Sequence, residues 1–287
     1  MRISELYGSR PVFSFEFFPP KTDGGYRTLF RTIEDLKRFE PAFVSMTSHA
    51  RGENRPRMIE LVGRIQRELG LTAVAHVPCS GQSREVLHEA LVDLAAEGIE
   101  NIMALGGDPA SDDPAWPPDP DGFYYASDLV AYAKEHFDFT MGSGCYPEKH
   151  HKAPDFATDI ENLKRKVDLG VEVLITQLFL DNTHYFRFID RVRAAGIEVP
   201  VVPGLMPMVS AQNLKRAMGF SPGSETPEEL VRALEAASGN AEESLAIGVE
   251  WARLQCQELL DQGAPGIHFY TLNRSPATRR VRELLDA

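Results

Sequence analysis

The chain has 287 residues, 43% of them hydrophobic, a length that suits one large α/β barrel and exceeds a single sandwich or Rossmann unit. Its 30 basic and 42 acidic side chains give a net charge of −12, which argues against a nucleic-acid backbone or an anionic membrane as the main partner. Any anionic ligand must therefore be held by a local cluster of basic groups. We expect one domain over residues 1–287.

No apolar run approaches the roughly 20 residues of a membrane span, and the amino terminus lacks the hydrophobic region of a signal peptide. We therefore expect a cytoplasmic protein. The three cysteines, Cys79, Cys145 and Cys256, lie far apart without metal-ligand spacing, so we expect neither a disulfide framework nor a metal site.

Strand-like segments alternate with helix-like segments along the chain. Eight segments have strand patterns: residues 12–17, 43–47, 73–77, 101–105, 140–146, 173–178, 200–204 and 267–270. Several are apolar on both faces, as in a buried parallel sheet, and eight is the number that closes a (β/α)8 TIM barrel. A doubly wound open sheet is the alternative, although no Gly-x-Gly-x-x-Gly turn follows the first strand.

Helix signals separate these strands. Ser83 begins one helix, and others are predicted at 155–170, 182–196 and 240–263. Two features depart from a minimal barrel: a long loop rich in Pro and Asp at 109–122, after the fourth strand, and an extra helix at 226–238, before the last helix.

Glu16 ends the first strand, among phenylalanines and just before Pro19 and Pro20. Removal from water favours the protonated form of a carboxylate, which is the form that a general acid needs. Alternation along the strand leaves a second interpretation open, in which Phe15 and Phe17 face the core and Glu16 faces water.

Polar residues also end the other strands, where barrels collect their catalytic groups. They are Thr47, His76, Asp108, Tyr146, Gln177, and segments 203–207 and 270–274. Taken singly, His76 is also typical of a core histidine and Asp108 of a turn, whereas a buried Gln177 amide needs hydrogen-bond partners. Their coincidence at one end of the predicted barrel favours a functional site there.

The helix after the fifth strand carries Asp159, Asn162, Arg165 and Lys166 within about a third of its circumference. An ordinary solvated helix face would have the same pattern. In an acidic protein, an Arg-Lys pair beside Asp and Asn is also a credible clamp for a pyrophosphate and a ribose.

Several motifs together resemble the bacterial methylenetetrahydrofolate reductase family. They are SFEFFPP at 14–20, Asp108, YPE at 146–148, NLKRK at 162–166, ITQ at 175–177 and HFYTLNR at 268–274. The resemblance covers nearly the whole chain and keeps the motif order.

This resemblance implies a (β/α)8 barrel that binds FAD noncovalently and reduces 5,10-methylenetetrahydrofolate to 5-methyltetrahydrofolate with NADH or NADPH by ping-pong kinetics. Glu16 matches the general acid that protonates the departing N10. Asp108 matches a carboxylate near the flavin and pterin, and Gln177 an amide that contacts folate or nicotinamide in turn. A homo-oligomer is also implied.

The same match implies a set of binding residues. The cofactor would be held by Thr47, His76, Gly107, Asp108, Tyr125, Tyr146, His150, Ala153, Asp159, Asn162, Arg165 and Lys166. The folate substrate would be held by Gln177, Asn213, Tyr270 and Arg274.

Three positions depart from the family pattern. Ser48-His49-Ala50 stands where Tyr-Gly-Ala is common, Gly106 where Arg is usual, and Asn213 where a folate-facing Gln is usual. Gly106 and Ser48-His49 motivate one alternative, a flavin-independent reductase with direct hydride transfer. A second alternative is a folate- or flavin-binding protein without turnover, against which the retained Glu16, Asp108 and Gln177 argue. The sequence does not distinguish NADH from NADPH.

Overall fold

The computed structural model describes residues 1–8, 10–48, 54–107, 119–219 and 221–286. Its strands are β1 (Val12–Phe17), β2 (Phe43–Met46), β3 (Ala73–Pro78), β4 (Asn101–Leu105), β5 (Thr140–Cys145), β6 (Val171–Thr176), β7 (Val201–Val202), β8 (Gly204–Leu205) and β9 (Gly266–Tyr270). Its α-helices are α1 (Asp23–Lys37), α2 (Arg55–Leu69), α3 (Arg84–Ala96), α4 (Ala126–His136), α5 (Phe156–Asp168), α6 (Asn182–Ala194), α7 (Ala211–Met218), α8 (Glu228–Ala236), α9 (Ala241–Asp261) and α10 (Pro276–Leu285).

The strands form one parallel sheet in the order β7-β6-β5-β4-β3-β2-β1-β9-β8. The predicted seventh strand is divided at Pro203: β7 pairs with β6, whereas β8 pairs with β9. Proline has no N–H to donate to a ladder, but its carbonyl still accepts a hydrogen bond from His268 N at 2.9 Å. The two short strands thus close the ring, and the predicted (β/α)8 barrel is confirmed.

Local sequence signals explain where several helices begin. Ser83 Oγ accepts a hydrogen bond from Val86 N at the start of α3, and Asp155 Oδ1 accepts one from Thr158 N at the start of α5. The extra helix predicted at 226–238 is α8. Helices α1, α4, α7 and α10 were not assigned from the sequence. Of the predicted 109–122 loop, residues 109–118 lie outside the described residues.

The segment before β1 closes the amino end of the barrel. Ile3 lies in a short 3-10 helix (Ile3–Glu5) and is fully buried in a cluster with Phe43 and Val202. Asn101 Oδ1 accepts a hydrogen bond from Ile3 N at 2.8 Å, and its Nδ2 donates to Met1 O at 2.9 Å. This end of the barrel is therefore filled by packing and amide pairing.

A larger apolar cluster lies between the sheet and its helices. Phe15 and Phe17 of β1 belong to it, together with Leu29 and Leu36 of α1. Alternate β1 residues must then point into the barrel, because successive strand side chains face opposite sides. None of the helices in the described residues is long and apolar enough to cross a membrane.

Candidate active site

Glu16 points into the carboxyl end of the barrel. Its side chain is 19% exposed, and its Oε2 lies 3.5 Å from Nε2 of both His76 and His268. These histidines come from β3 and β9, on either side of β1 in the ring. The interpretation of Glu16 as a solvent-facing carboxylate is therefore wrong: Phe15 and Phe17 do face the core, but the opposite face of β1 is the barrel interior.

A serine orients one of these histidines. Ser14 Oγ and His268 Nδ1 are 2.7 Å apart, and His268 is fully buried. Its other ring nitrogen, Nε2, faces Glu16 Oε2 at 3.5 Å and has no hydrogen-bond partner among the described residues. Sequence reasoning assigned no role to Ser14 or to His268. The available signal was alternation, since each lies two residues before a predicted site residue, on the same face.

His76 supplies the third group around the carboxylate. Burial lowers the pKa of His76, and it outweighs the opposite effect of the nearby Glu16. With a pKa below the usual histidine range, His76 is neutral at pH 7, so it does not form an ion pair with Glu16.

Tyr270 closes this cluster on the β6 side. Its hydroxyl donates a 2.5 Å hydrogen bond to Thr176 O, and burial with Glu16 close by raises its pKa well above the usual range. Gly204 packs beneath it, where an added Cβ would overlap both the Tyr270 ring and Thr176 O. The phenol thus stays protonated and fixed in orientation.

A second group of predicted residues meets where β5 leads into α5. The rings of Tyr146 and His150 are 4.4 Å apart in an edge-to-face arrangement, and His150 N donates to Asp159 Oδ2 at 3.0 Å. Lys166 Nζ donates to Gly144 O at 2.7 Å and to Ser143 Oγ at 3.1 Å.

The charges of this second group are held away from water. Burial lowers the pKa of Lys166 and raises the pKa of Asp159, so each is shifted toward its neutral form. An anion placed beside Lys166 would favour its charged form again. Asp159 and Lys166 therefore turn toward the sheet, and they account for two of the four residues on the predicted helix face.

The other two residues of that face are exposed. Asn162 and Arg165 lie on the outside of α5, and Arg165 lines a groove of about 500 Å³ with Lys164, Asp168 and Ala195. This groove lies between the carboxyl-terminal parts of α5 and α6, away from Glu16. The structure thus does not bring all four predicted clamp residues together.

The remaining predicted residues are distributed around the carboxyl ends of the strands. Thr47 N donates to Phe17 O at 2.9 Å, which places Thr47 beside the end of β1, and Ala153 N donates to His150 O at 2.9 Å. Tyr125 precedes α4 and is 69% exposed. Gly107 has a φ of 88°, a left-handed conformation that favours glycine.

The residues predicted to hold folate are also spread over several elements. Gln177 Oε1 accepts a hydrogen bond from Leu178 N at 2.8 Å, directly after β6. Asn213, on α7, accepts one from Val209 N at 3.0 Å. Arg274 is exposed after β9.

Some predictions cannot be located. Asp108, His49 and Ala50 lie outside the described residues. Gly106, two residues before Asp108, follows β4. A Cβ added at Gly106 would meet no described atom within 4 Å. The described residues also contain no group of three or more His, Cys, Asp or Glu side chains placed to hold a metal ion.

Together, the closed parallel barrel and the polar cluster at the carboxyl ends of its strands define the architecture of a barrel enzyme. The methylenetetrahydrofolate reductase family model matches residues 2–286. The chain belongs to this family, which confirms the resemblance that its motifs indicated.

Bacterial relatives match over most of their length. The chain is 36% identical over 277 residues to 5,10-methylenetetrahydrofolate reductase of Salmonella typhimurium, and equally to that of Escherichia coli, covering 95% of this chain and 90% of each relative. It is 35% identical to methylenetetrahydrofolate reductase 1 of Schizosaccharomyces pombe over 96% of this chain but 46% of that protein. The chain thus spans about half the length of this fungal relative.

Solved structures share the fold at low sequence identity. A protein from Clostridium thermocellum that binds two copies of 5-methyl-5,6,7,8-tetrahydrofolic acid has a TM-score of 0.67 and 14% identity, covering 98% of this chain and 96% of that one. Dihydropteroate synthase from Xanthomonas albilineans, in complex with 7,8-dihydropteroate, has a TM-score of 0.51 and 16% identity, covering 97% and 92%. These matches support the barrel fold.

Proposed function

We propose that this protein reduces 5,10-methylenetetrahydrofolate to 5-methyltetrahydrofolate with NADH or NADPH through bound FAD, by ping-pong kinetics, as a cytoplasmic homo-oligomer. The observation that carries the proposal is the position of Glu16, a carboxylate inside the barrel whose Oε2 lies 3.5 Å from Nε2 of both His76 and His268. Family membership supplies the substrate class, and the neighbour from Clostridium thermocellum binds a ligand of that class.

The residues near β5 fit the phosphate and ribose parts of FAD. Lys166 carries a half-buried ammonium group, and an adjacent pyrophosphate would oppose the lowering of its pKa. Asp159 is an acceptor for ribose hydroxyls. Tyr146 and His150 offer aromatic surfaces beside them. Arg165 and Asn162, exposed on the same helix, would reach the cofactor from outside. Bound FAD supplies the capacity to accept a hydride from the nicotinamide and to donate it to the folate.

Further contacts complete the proposed cofactor site. Thr47, His76, Gly107 and Ala153 lie around the carboxyl ends of the strands, and the exposed ring of Tyr125 stands at the start of α4. No atom of the described residues lies within 4 Å of a Cβ added at Gly106, which suits the approach of a flat ring system. Asp108, next to Gly107 in the sequence, would set the charge near the flavin and the pterin.

Glu16 would deliver the proton that opens the methylene bridge of the substrate. Its Oε2 lies 3.5 Å from Nε2 of both His76 and His268, inside the barrel where the folate would bind, and Ser14 Oγ orients the His268 ring. Protonation of the folate N10 then leaves a cation at N5 that accepts the hydride. Gln177, Asn213, Tyr270 and Arg274 would hold the folate.

The proposal is tested with Glu16→Gln and, as a matched control, Glu172→Gln, which replaces a half-buried strand carboxylate near the amino end of β6. Both purified proteins should show a flavin spectrum after FAD is added, and both should oxidise NAD(P)H with an artificial electron acceptor. Only Glu16→Gln should lose folate reduction, by about 100-fold or more, because general acid catalysis typically contributes that much.

Two outcomes would contradict parts of the proposal. Near-normal folate reduction by Glu16→Gln would remove Glu16 from the role of acid. If the wild-type protein reduces folate without binding any flavin, the flavin-independent reductase replaces the proposed mechanism. Comparison of kcat/KM for NADH and NADPH decides the hydride donor.

A further inference from the structure

The loop after β9 holds the backbone that carries Glu16. Ladder pairing between β1 and β9 ends at Glu16 and Tyr270. The next residue, Thr271, donates to Glu16 O twice, from its Oγ1 at 2.6 Å and from its N at 3.3 Å. The chain then turns away, so β9 provides no further backbone partners for β1.

The side chain of Asn273 replaces the missing strand partner. Its Oδ1 accepts a hydrogen bond from Phe18 N at 2.9 Å, and its Nδ2 donates to Phe18 O at 2.7 Å. A primary amide carries the same donor and acceptor pair as a peptide group, so it can continue a β ladder. Phe18 is 42% exposed, and the amide of Asn273 supplies both side-chain hydrogen bonds to its backbone.

Backbone geometry brings the amide into this position. Leu272 and Asn273 have φ values of 49° and 57°. This left-handed conformation is unfavourable in free energy for most residues, but asparagine tolerates it better than most. Leu272 packs against the apolar cluster that contains Leu178 and Met206, which offsets the cost at its position. Two successive left-handed residues at a site mouth are typical of a functional constraint.

We propose that Asn273 is a positioning residue for Glu16: its amide fixes the backbone from Glu16 to Phe18, so that the carboxyl group stays between His76 and His268. The inference rests on the proposed role of Glu16 as acid. Without the amide, the segment before Pro19 would be held on the β9 side only by Thr271, and the carboxyl group would sample positions away from its two imidazole neighbours.

The test compares the same substitution at two ends of the barrel. Asn273→Asp keeps the acceptor for Phe18 N but replaces the donor to Phe18 O with a second acceptor. Asn101→Asp makes the identical change in an amide that pairs with the backbone of Met1 and Ile3 at the amino end. Asn273→Gly removes both bonds and keeps the left-handed conformation accessible.

The first measurement is hydrogen exchange of peptides covering residues 12–20, which needs no cofactor. Asn273→Gly should speed exchange of the Phe18 amide by roughly two- to tenfold, as expected for loss of one hydrogen bond. Asn101→Asp should leave these peptides unchanged. Unchanged exchange in Asn273→Gly would show that the amide does not hold this segment and would overturn the proposal.

The second measurement is turnover. Asn273→Asp should lower kcat for folate reduction by about 10- to 100-fold and alter its pH profile, since small misplacements of a catalytic group cost this much. Oxidation of NAD(P)H with an artificial acceptor should stay within about twofold of wild type, because no role in that step is assigned to Asn273. The double variant with Glu16→Gln should lose no more folate reduction than Glu16→Gln alone.

These outcomes separate the two proposals. If Glu16→Gln is inactive with folate while Asn273→Asp has the wild-type rate and pH profile, the positioning role fails and the role of Glu16 stands. If Glu16→Gln reduces folate at a near-normal rate, the proposed role of Glu16 as acid is contradicted, whatever the result for Asn273→Asp. An equal loss in Asn101→Asp would show that general destabilisation, and not positioning, causes the effect.

A second pair of variants tests the positioning role independently, in case substitutions at position 273 cause misfolding. Thr271→Val removes the hydroxyl that donates to Glu16 O and keeps the side-chain shape, whereas Thr271→Ser keeps the hydroxyl. Folate reduction should fall in the first and recover in the second, with NAD(P)H oxidation retained in both. Equal folate reduction by the two variants would count against positioning of the β1 backbone by this loop.

Discussion

Ser14 and Ser45 are both buried, lie on neighbouring strands and differ in their hydrogen bonding. Ser14 Oγ pairs with His268 Nδ1 at 2.7 Å, whereas Ser45 Oγ has no hydrogen-bond partner among the described residues. Ser14→Ala should lower the free energy of unfolding by about 1–3 kcal/mol, because it leaves a buried ring nitrogen unpaired. Ser45→Ala should be neutral or stabilising. Urea unfolding of both variants checks the difference, and equal losses would contradict it.

Burial of His76 has a consequence for acid stability. Its pKa is lowered from the usual 6.5, so below pH 6.5 the unfolded chain binds a proton that the folded protein does not. The free energy of unfolding should therefore fall as the pH drops below 6.5, toward the lowered pKa of the folded state. His76→Gln should reduce this slope. Denaturant unfolding between pH 7 and 5 measures it, and identical slopes in the two proteins would exclude the effect.

The site residues differ in how far the sequence could predict them. Glu16, Tyr146 and Gln177 end predicted strands, so their approximate location followed from the barrel alone. Arg165 and Lys166 are adjacent in the same predicted helix face, yet the first is exposed and the second is half-buried, with its Nζ bonded to Ser143 and Gly144. Helical periodicity gives the direction of a side chain only within a broad sector, and the packing of α5 on the sheet decided which of the two turns inward, where Lys166 bonds to Ser143 and Gly144 of β5.

At the scale of elements, helix α9 packs closely against the segment that follows β8. A Cβ added at Gly248 would overlap the carbonyl oxygen of Met208. Gly248→Ala should therefore destabilise the protein by about 1–3 kcal/mol, although alanine favours helices. Gly24→Ala in α1 is the matched control: it meets no atom within 4 Å and should gain up to about 1 kcal/mol. Thermal unfolding compares them, and stabilisation by Gly248→Ala would refute the close contact.

The elements themselves were mostly predictable. β1 and β4 have the predicted limits, and α8 lies within its predicted range, because each has a clear period and clear boundaries. The seventh strand was expected to be continuous over 200–204. Pro203 divides it, and the two halves pair with different neighbours, a division that depends on closure of the ring. Helix α7 has only eight residues, too short a segment for periodicity to identify.

At the scale of the whole molecule, we expect the two ends of the barrel to have separate tasks, stability at the amino end and the proposed reaction at the carboxyl end. Ile3 is fully buried at the amino end, whereas Glu16 lies at the carboxyl end. Ile3→Ala should lower the free energy of unfolding by about 2–5 kcal/mol, since it leaves a cavity. Folate reduction per folded molecule should not change. Urea unfolding and rates measured on the same sample test this, and a large drop in rate at full folding would contradict the separation.

By itself the sequence determined the barrel, its family and the end at which polar residues collect, because strand alternation, helix boundaries and motif order are local properties. It left open whether Glu16 faces water or the interior, since period-two alternation distinguishes two faces without saying what each one meets. Only the tertiary structure decided this. Closure of the sheet encloses one face of β1 and brings in His76 and His268, about 60 and 250 residues away along the chain, as the two neighbours of Glu16.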